Sequence, residues 1–165
     1  MESLNVNKLI DARELLKDED YDFFDDLFRK ENELLKNKQN ISLLLNGLTD
    51  SALDFSYMSD LLTLIRRFMD IVGVVDFTKI IFDGVLIVIP HGKHWYYHLI
   101  MDCIKESHKL EKTVIVAIFE SLSNKKNSIL IDCLLAIKND GDYGMSQNIE
   151  LEQMIQIGYE CSNLN

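Results

Sequence analysis

One break governs how this chain can fold. Within Ile80–Lys105, IIFDGVLIVIPHGKHWYYHLIMDCIK, stand the only proline (Pro90), the only tryptophan (Trp95) and three of the four histidines (His91, His94, His98). Proline has no N–H to give to a helix and disfavours helical backbone in the residue before it. Gly92 adds a flexible joint two residues later. The run Val85–Ile89 and the amphipathic run His94–Ile104 are therefore separate elements. Trp95, Tyr96, Leu99, Ile100, Cys103 and Ile104 recur at helical spacing and form an apolar arc wide enough for a buried helix. Val85–Ile89 is β-branched enough for a strand. It continues Phe77–Phe82, however, and no partner strand is evident, so the spacing predicts helix.

The rest of the chain repeats this pattern of short amphipathic runs. Helices are predicted over Val6–Lys17, with Asn5 as a cap, then over Tyr21–Asn37 and Ile41–Leu48. Tyr57–Val72 follows, ended by Gly73, and then a helix from Asp76 to Ile89. Lys93–His108, Leu110–Leu122, Ile129–Ile137 and Ile149–Glu160 complete the set, with a polar turn at Ser123–Ser128 and a long polar loop at Asn139–Asn148. Short connections make consecutive helices antiparallel neighbours. The expectation is an all-α chain of eight or nine helices, arranged as an antiparallel helical array (a HEAT-like α-α superhelix) or an irregular bundle. A six-residue echo, LIMDCI at Leu99–Ile104 and ILIDCL at Ile129–Leu134, is compatible with an array.

Length and charge narrow the function classes. At 165 residues the chain is expected to be a single helical domain with enough chain for a real core. The net charge of −10 is unevenly spread. Residues 1–50 hold 12 acids against 7 bases, 51–138 hold 10 of each, and 139–165 hold 5 acids and no base. The domain therefore reads as acidic N-terminal helices (1–50), a neutral helical core (51–138) and an acidic loop and C-terminal helix (139–165). Nucleic acid and anionic membrane repel such a surface, whereas a basic protein is steered toward it. No run reaches membrane-spanning length, and MESLNVNKLIDARELL lacks the basic-then-apolar order of a signal peptide. Cys103, Cys133 and Cys161 sit in apolar helical runs and read as reduced core thiols of a cytoplasmic protein.

His94, His98 and Asp102 fall at i, i+4 and i+8 and line one helix face, as zinc-binding histidines can. The glutamate of an HExxH motif is missing between them, so a polar helix face beside Trp95 is the better reading. Asn139-Asp140-Gly141-Asp142 has calcium-like composition without the register of an EF-hand loop. No phosphate-binding glycine loop, nucleophile elbow or kinase signature is present. The expectation is a chain that is not an enzyme and needs no cofactor or metal.

The central run YMSDLLTLIRRFMDIVGVVDFTKIIFDGVLIVIPHGKHWYYHLIMDCIKES resembles helical immunity proteins of bacterial polymorphic-toxin and contact-dependent-inhibition systems. It is most similar to the immunity protein 30 family. Leu64–Met69 takes the place of that family's first motif segment and Pro90–Trp95 that of its second, with Arg66 and Arg67 where the first segment has its histidine. The likeness spans roughly residues 57–138. It implies an all-α cytoplasmic protein that binds and neutralises a cognate toxin domain, without a cofactor and without catalytic residues to carry over.

On that reading the acidic ends mimic a nucleic-acid substrate and plug the basic cleft of a toxin, such as a nuclease. The residues expected to bind are Asp18, Glu19, Asp20, Asp22, Asp25 and Asp26, then Asp140 and Asp142, with Tyr21 or Tyr143 as aromatic anchors. A helix start also favours acid, which gives the first group a structural reason to exist. Two other classes stay open: a helical module holding a partner helix in an apolar groove, such as a virally encoded survival factor, and a metal-dependent enzyme built on His94, His98 and Asp102.

Overall fold

Helix is the regular structure of the chain, and the described residues contain no strand. The structure is a computed structural model that describes residues 4–140, 144 and 148–162. Its helices are α1 Val6–Ala12, α2 Asp18–Arg29, α3 Glu31–Leu34, α4 Gln39–Leu44, α5 Phe55–Asp83, α6 Val85–Val88, α7 Lys93–Glu106, α8 Lys112–Glu120, α9 Asn124–Asn139 and α10 Ile149–Ser162. The all-α expectation holds, and ten helices among the described residues stand close to the predicted eight or nine. The chain forms two compact units. One comprises Met1–Gly73 and Ile87–Tyr96, the other Val74–Leu86 and Tyr97–Asn165.

In the first unit, α1 starts where the Asn5 side chain accepts the N–H of Lys8 at 3.1 Å. It ends five residues short of the predicted Lys17. The cause is Leu15, whose φ of 57° is left-handed and whose side chain is 1% exposed. Burial of an isobutyl group outweighs the roughly 1–2 kcal/mol that an L-residue loses in this conformation. The chain turns there, and α2 begins at Asp18, ahead of the predicted Tyr21. The Asp20 carboxylate accepts the N–H groups of Leu16 at 3.0 Å and Lys17 at 3.1 Å and fixes the turn.

The predicted helix Tyr21–Asn37 is broken at Lys30 into α2 and the single turn α3. Asn40, buried, donates from Nδ2 to Leu34 O at 2.8 Å and satisfies the end of that turn. α1 packs on α2, on α4 and on the 3₁₀ turn Leu45–Gly47. Leu9, Phe24, Ile41, Leu44, Leu61 and Phe68 are fully buried in this unit. Each contributes on the order of 1.5–3 kcal/mol by leaving water.

α5 is interrupted at Gly73, where φ 81° and ψ 161° lie in a region open essentially to glycine alone. A second interruption, at Gly84, divides the helix expected over Asp76–Ile89. Its N–H donates to both Ile80 O and Ile81 O, closing the α5 end. Val85–Val88 is a separate helical turn and not a strand. The N–H groups of His91 and Gly92 then both donate to Val88 O, at 2.9 and 2.8 Å, and the chain turns into α7.

In the second unit α10 packs against both α8 and α9. Gly158 allows the approach: a Cβ there would lie 2.8 Å from Ile131 Cγ1 and 3.0 Å from Phe119 Cε1. Phe119 meets Phe82 edge-on at 5.6 Å. α9 begins five residues before the predicted Ile129, because Ser123 accepts the N–H of Lys126 at 3.4 Å and caps it. The two halves of the echo share a burial register. Ile100, Cys103 and Ile104 are buried in α7, as are Leu130, Cys133 and Leu134 in α9.

Candidate functional site

α2 carries most of the acids expected to bind a partner, and the structure sorts them. Its inward side is set by Phe24 and Leu27, both buried. Asp25 is half-buried and accepts the Tyr57 hydroxyl at 3.0 Å. That bond raises the Tyr57 pKa above its ordinary value, with burial adding to the effect. Asp26 pairs with Lys30 at 2.7 Å, and the same contact lowers the Asp26 pKa. Asp20 is committed to the turn before the helix. Asp18, Glu19 and Asp22 are exposed, and among the described residues none of their carboxylates makes a hydrogen bond or ion pair.

Tyr21 is half-buried and rests edge-on against Tyr57 at 5.2 Å. Phe24 and Phe28 also reach Tyr57, each at 6.2 Å, so the aromatic side of α2 is taken up by its own unit. Asp140, exposed, follows the last turn of α9 in the second unit, its N–H donating to Ala136 O at 3.0 Å. Asp142 and Tyr143 lie outside the described residues.

Beside α2 lies a groove of about 840 Å³, between the start of α1 and the α3–α4 segment. Its leucines and Phe23 share the wall with Lys8, Asp26, Lys30 and Glu33. Lys8 Nζ sits 5.1 Å from the Phe23 ring centre. Charge of both signs makes this a polar groove, unlike the long apolar one that holds an amphipathic helix.

A second surface of the first unit was not visible in the sequence. Asp50 caps α7: the N–H of His94 donates to Oδ1 and Oδ2 of Asp50, 3.2 Å each. The N–H of Asp50 donates to His91 O at 2.7 Å. Ser51 Oγ donates to Glu14 Oε1 at 3.3 Å, and Leu53 N–H donates to Glu14 O at 3.1 Å. Around this corner Leu16, Leu53 and Phe55 are 61%, 70% and 60% exposed. Each stands in a run that reads as helix or connector, and only the turn at Leu15 and the pinned connector turn them outward.

His94, His98 and Asp102 occupy successive turns of α7. Among the described residues no three His, Cys, Asp or Glu side chains are placed to share a metal ion. Burial pushes the Cys103 thiol up to about 12, with the Thr78 hydroxyl opposing it. Burial also raises Cys161. A thiol so shifted is not a nucleophile near neutral pH. No helix among the described residues is long and apolar enough to cross a membrane.

No family model matches the chain, and neither a curated protein nor a solved structure matches it.

Proposed function

We propose that this chain is an immunity protein: it binds a cognate toxin domain and neutralises it by occluding a basic cleft, a nuclease site being the best match for its charge. The observation that carries this reading is the sorting of acids on α2. Asp18, Glu19 and Asp22 remain exposed and unengaged on a helix whose other side is locked by Phe24, Leu27 and the Tyr57 cluster. Fixed negative charge of this kind mimics phosphate and speeds encounter with a basic partner. The likeness of residues 57–138 to helical immunity proteins supplies the partner class. The reading calls for no cofactor and places the protein in the cytoplasm.

The test is calorimetry against a candidate toxin domain, the C-terminal domain of whatever large secreted protein is encoded immediately upstream. One-to-one binding at nanomolar Kd, weakened by salt and accompanied by loss of toxin activity, is expected. Absence of binding to a folded, active toxin domain removes the reading. The helix-groove alternative gains no support from the groove beside α2, because four charged side chains line it.

A further inference from the structure

We propose that Leu16, Leu53 and Phe55 form an apolar anchor for a basic partner protein, one that presents a large apolar side chain flanked by lysine or arginine. This rests on the protein-binding reading above, but not on the partner being a toxin.

Three observations carry it. First, these are three of the four most exposed large apolar side chains among the described residues, and all three belong to the first unit. Glu14 O holds Leu53 N–H at 3.1 Å, two residues from Leu16, and Phe55 leans edge-on against Trp95 at 6.0 Å. Secondly, the backbone holds them outward. Thr49 and Ala52 are buried, Asp50 is bonded to His91 and Leu53 to Glu14, so the connector is pinned on both sides. Leu16 is turned out by the left-handed Leu15 before it. Strained backbone beside exposed apolar surface marks a place shaped for contact.

Thirdly, the rim is acidic. Asp54 stands between Leu53 and Phe55, its carboxylate accepting Ser56 N–H at 2.9 Å and Ser56 Oγ at 2.6 Å. Glu14 lies two residues before Leu16, and Asp18 and Glu19 follow it. Of the nearby bases, Arg13 is turned to Asn46 O at 3.4 Å, and Lys17 and Lys93, both exposed, stand against the four acids Glu14, Asp18, Glu19 and Asp54. A second copy meeting this face would set these acids against themselves in a chain of net charge −10. A basic partner meets complementary charge. The exposed acids at the start of α2, Asp18 and Glu19, follow Leu16 by two and three residues.

The test needs no toxin. The probe is the peptide acetyl-Lys-Trp-Lys-amide, titrated into the full chain and followed by amide and indole NMR shifts. Saturable changes at Glu14–Leu16, Ser51–Ser56 and the Trp95 indole are expected, at least tenfold weaker in Leu53→Ser/Phe55→Ser. Acetyl-Glu-Trp-Glu-amide should leave those signals in place. If the double variant fails to fold by urea titration, Leu16→Ser serves in its stead. No saturable change, changes elsewhere, or equal response to both peptides overturns the proposal. A concentration-dependent dimer in sedimentation, lost in the variant, also overturns it by naming a second copy as the occupant. If the toxin domain fails to bind while the peptide map succeeds, the immunity reading falls and the anchor stands. Toxin binding unaffected by the variant, with no peptide map, removes the anchor alone.

Discussion

The backbone N–H of His94 donates to both carboxylate oxygens of Asp50, a residue 44 positions earlier, at 3.2 Å each. The carboxylate meets the positive end of α7, where an anion is favoured. Gly92, just before, lets the chain come close: a Cβ there would lie 2.7 Å from Leu48 O. The break that the sequence announces is thus seated on Leu48–Asp50 by a cap and a close approach together.

Asp50→Ala should therefore cost about 1 kcal/mol of stability, and Asp50→Asn less, as caps do. Gly92→Ala should cost roughly 1–3 kcal/mol, because the atom it meets is backbone and cannot swing away. Urea midpoints of the three variants check both expectations, and a loss for Asp50→Ala no larger than for an exposed surface change would refute the cap.

Adjacent leucines should differ sharply. Leu15→Ala removes a buried side chain and should cost about 2–4 kcal/mol. Leu16→Ala, 61% exposed, should stay within about 0.5 kcal/mol. Thermal or urea unfolding separates the two, and equal effects would contradict the left-handed turn at Leu15.

Among the acids, the structure separates those that serve the fold from those that face outward. Asp18→Asn/Glu19→Gln/Asp22→Asn should weaken toxin binding at least tenfold and flatten its salt dependence, with stability little changed. Asp25→Asn should act the other way, costing about 1 kcal/mol through the Tyr57 bond with affinity within a few-fold. Calorimetry at two salt concentrations, paired with urea titration, distinguishes these outcomes.

Cys103 sets an alkaline limit. Its thiol ordinarily titrates near 9.0 and is raised by burial to about 12 in the fold. The folded state thus keeps its proton where the unfolded state has lost it. The resulting contribution is whole below pH 9 and declines above it by about 1.4 kcal/mol per pH unit until the folded thiol titrates. Between pH 8 and 10 the wild type should lose about 1.4 kcal/mol more than Cys103→Ala. Tyr57, also raised, adds a loss in the same direction near and above pH 10. Parallel pH profiles for wild type and variant would disprove the Cys103 contribution.

Much of the helical pattern was legible because apolar spacing and glycine breaks are local signals. Gly73 and Pro90-His91-Gly92 interrupt the chain where the sequence places them. Element ends were less legible where tertiary burial decides them. Nothing local marks Leu15 as left-handed; only its place in the core does. The first turns of α9 look like a polar loop because Asn124, Lys125 and Ser128 face water, while Asn127 is buried and donates to Phe119 O at 3.1 Å. At the candidate site, the acids were visible as composition, but their engagement was not. Asp25 and Asp26 differ from Asp22 only through Tyr57 and Lys30. The exposed corner of Leu16, Leu53 and Phe55 was hidden because Leu16 reads as an apolar position of the first helix, while Leu53 and Phe55 fall in the connector Ser51–Ser56, whose path no local signal fixes.

The interleaved make-up of the two units sets an order of events during synthesis. When residue 73 leaves the ribosome, the first unit still lacks Ile87–Tyr96. Asp50 then has no helix start to cap, and Leu48 has no Gly92 against it. Thirteen residues of the other unit, Val74–Leu86, must be made before the missing piece arrives. At roughly 5–20 residues per second the nascent chain waits on the order of a second with that seat open. The glycine at 73 and the proline at 90 therefore mark stages in the birth of the protein as well as corners in its finished form.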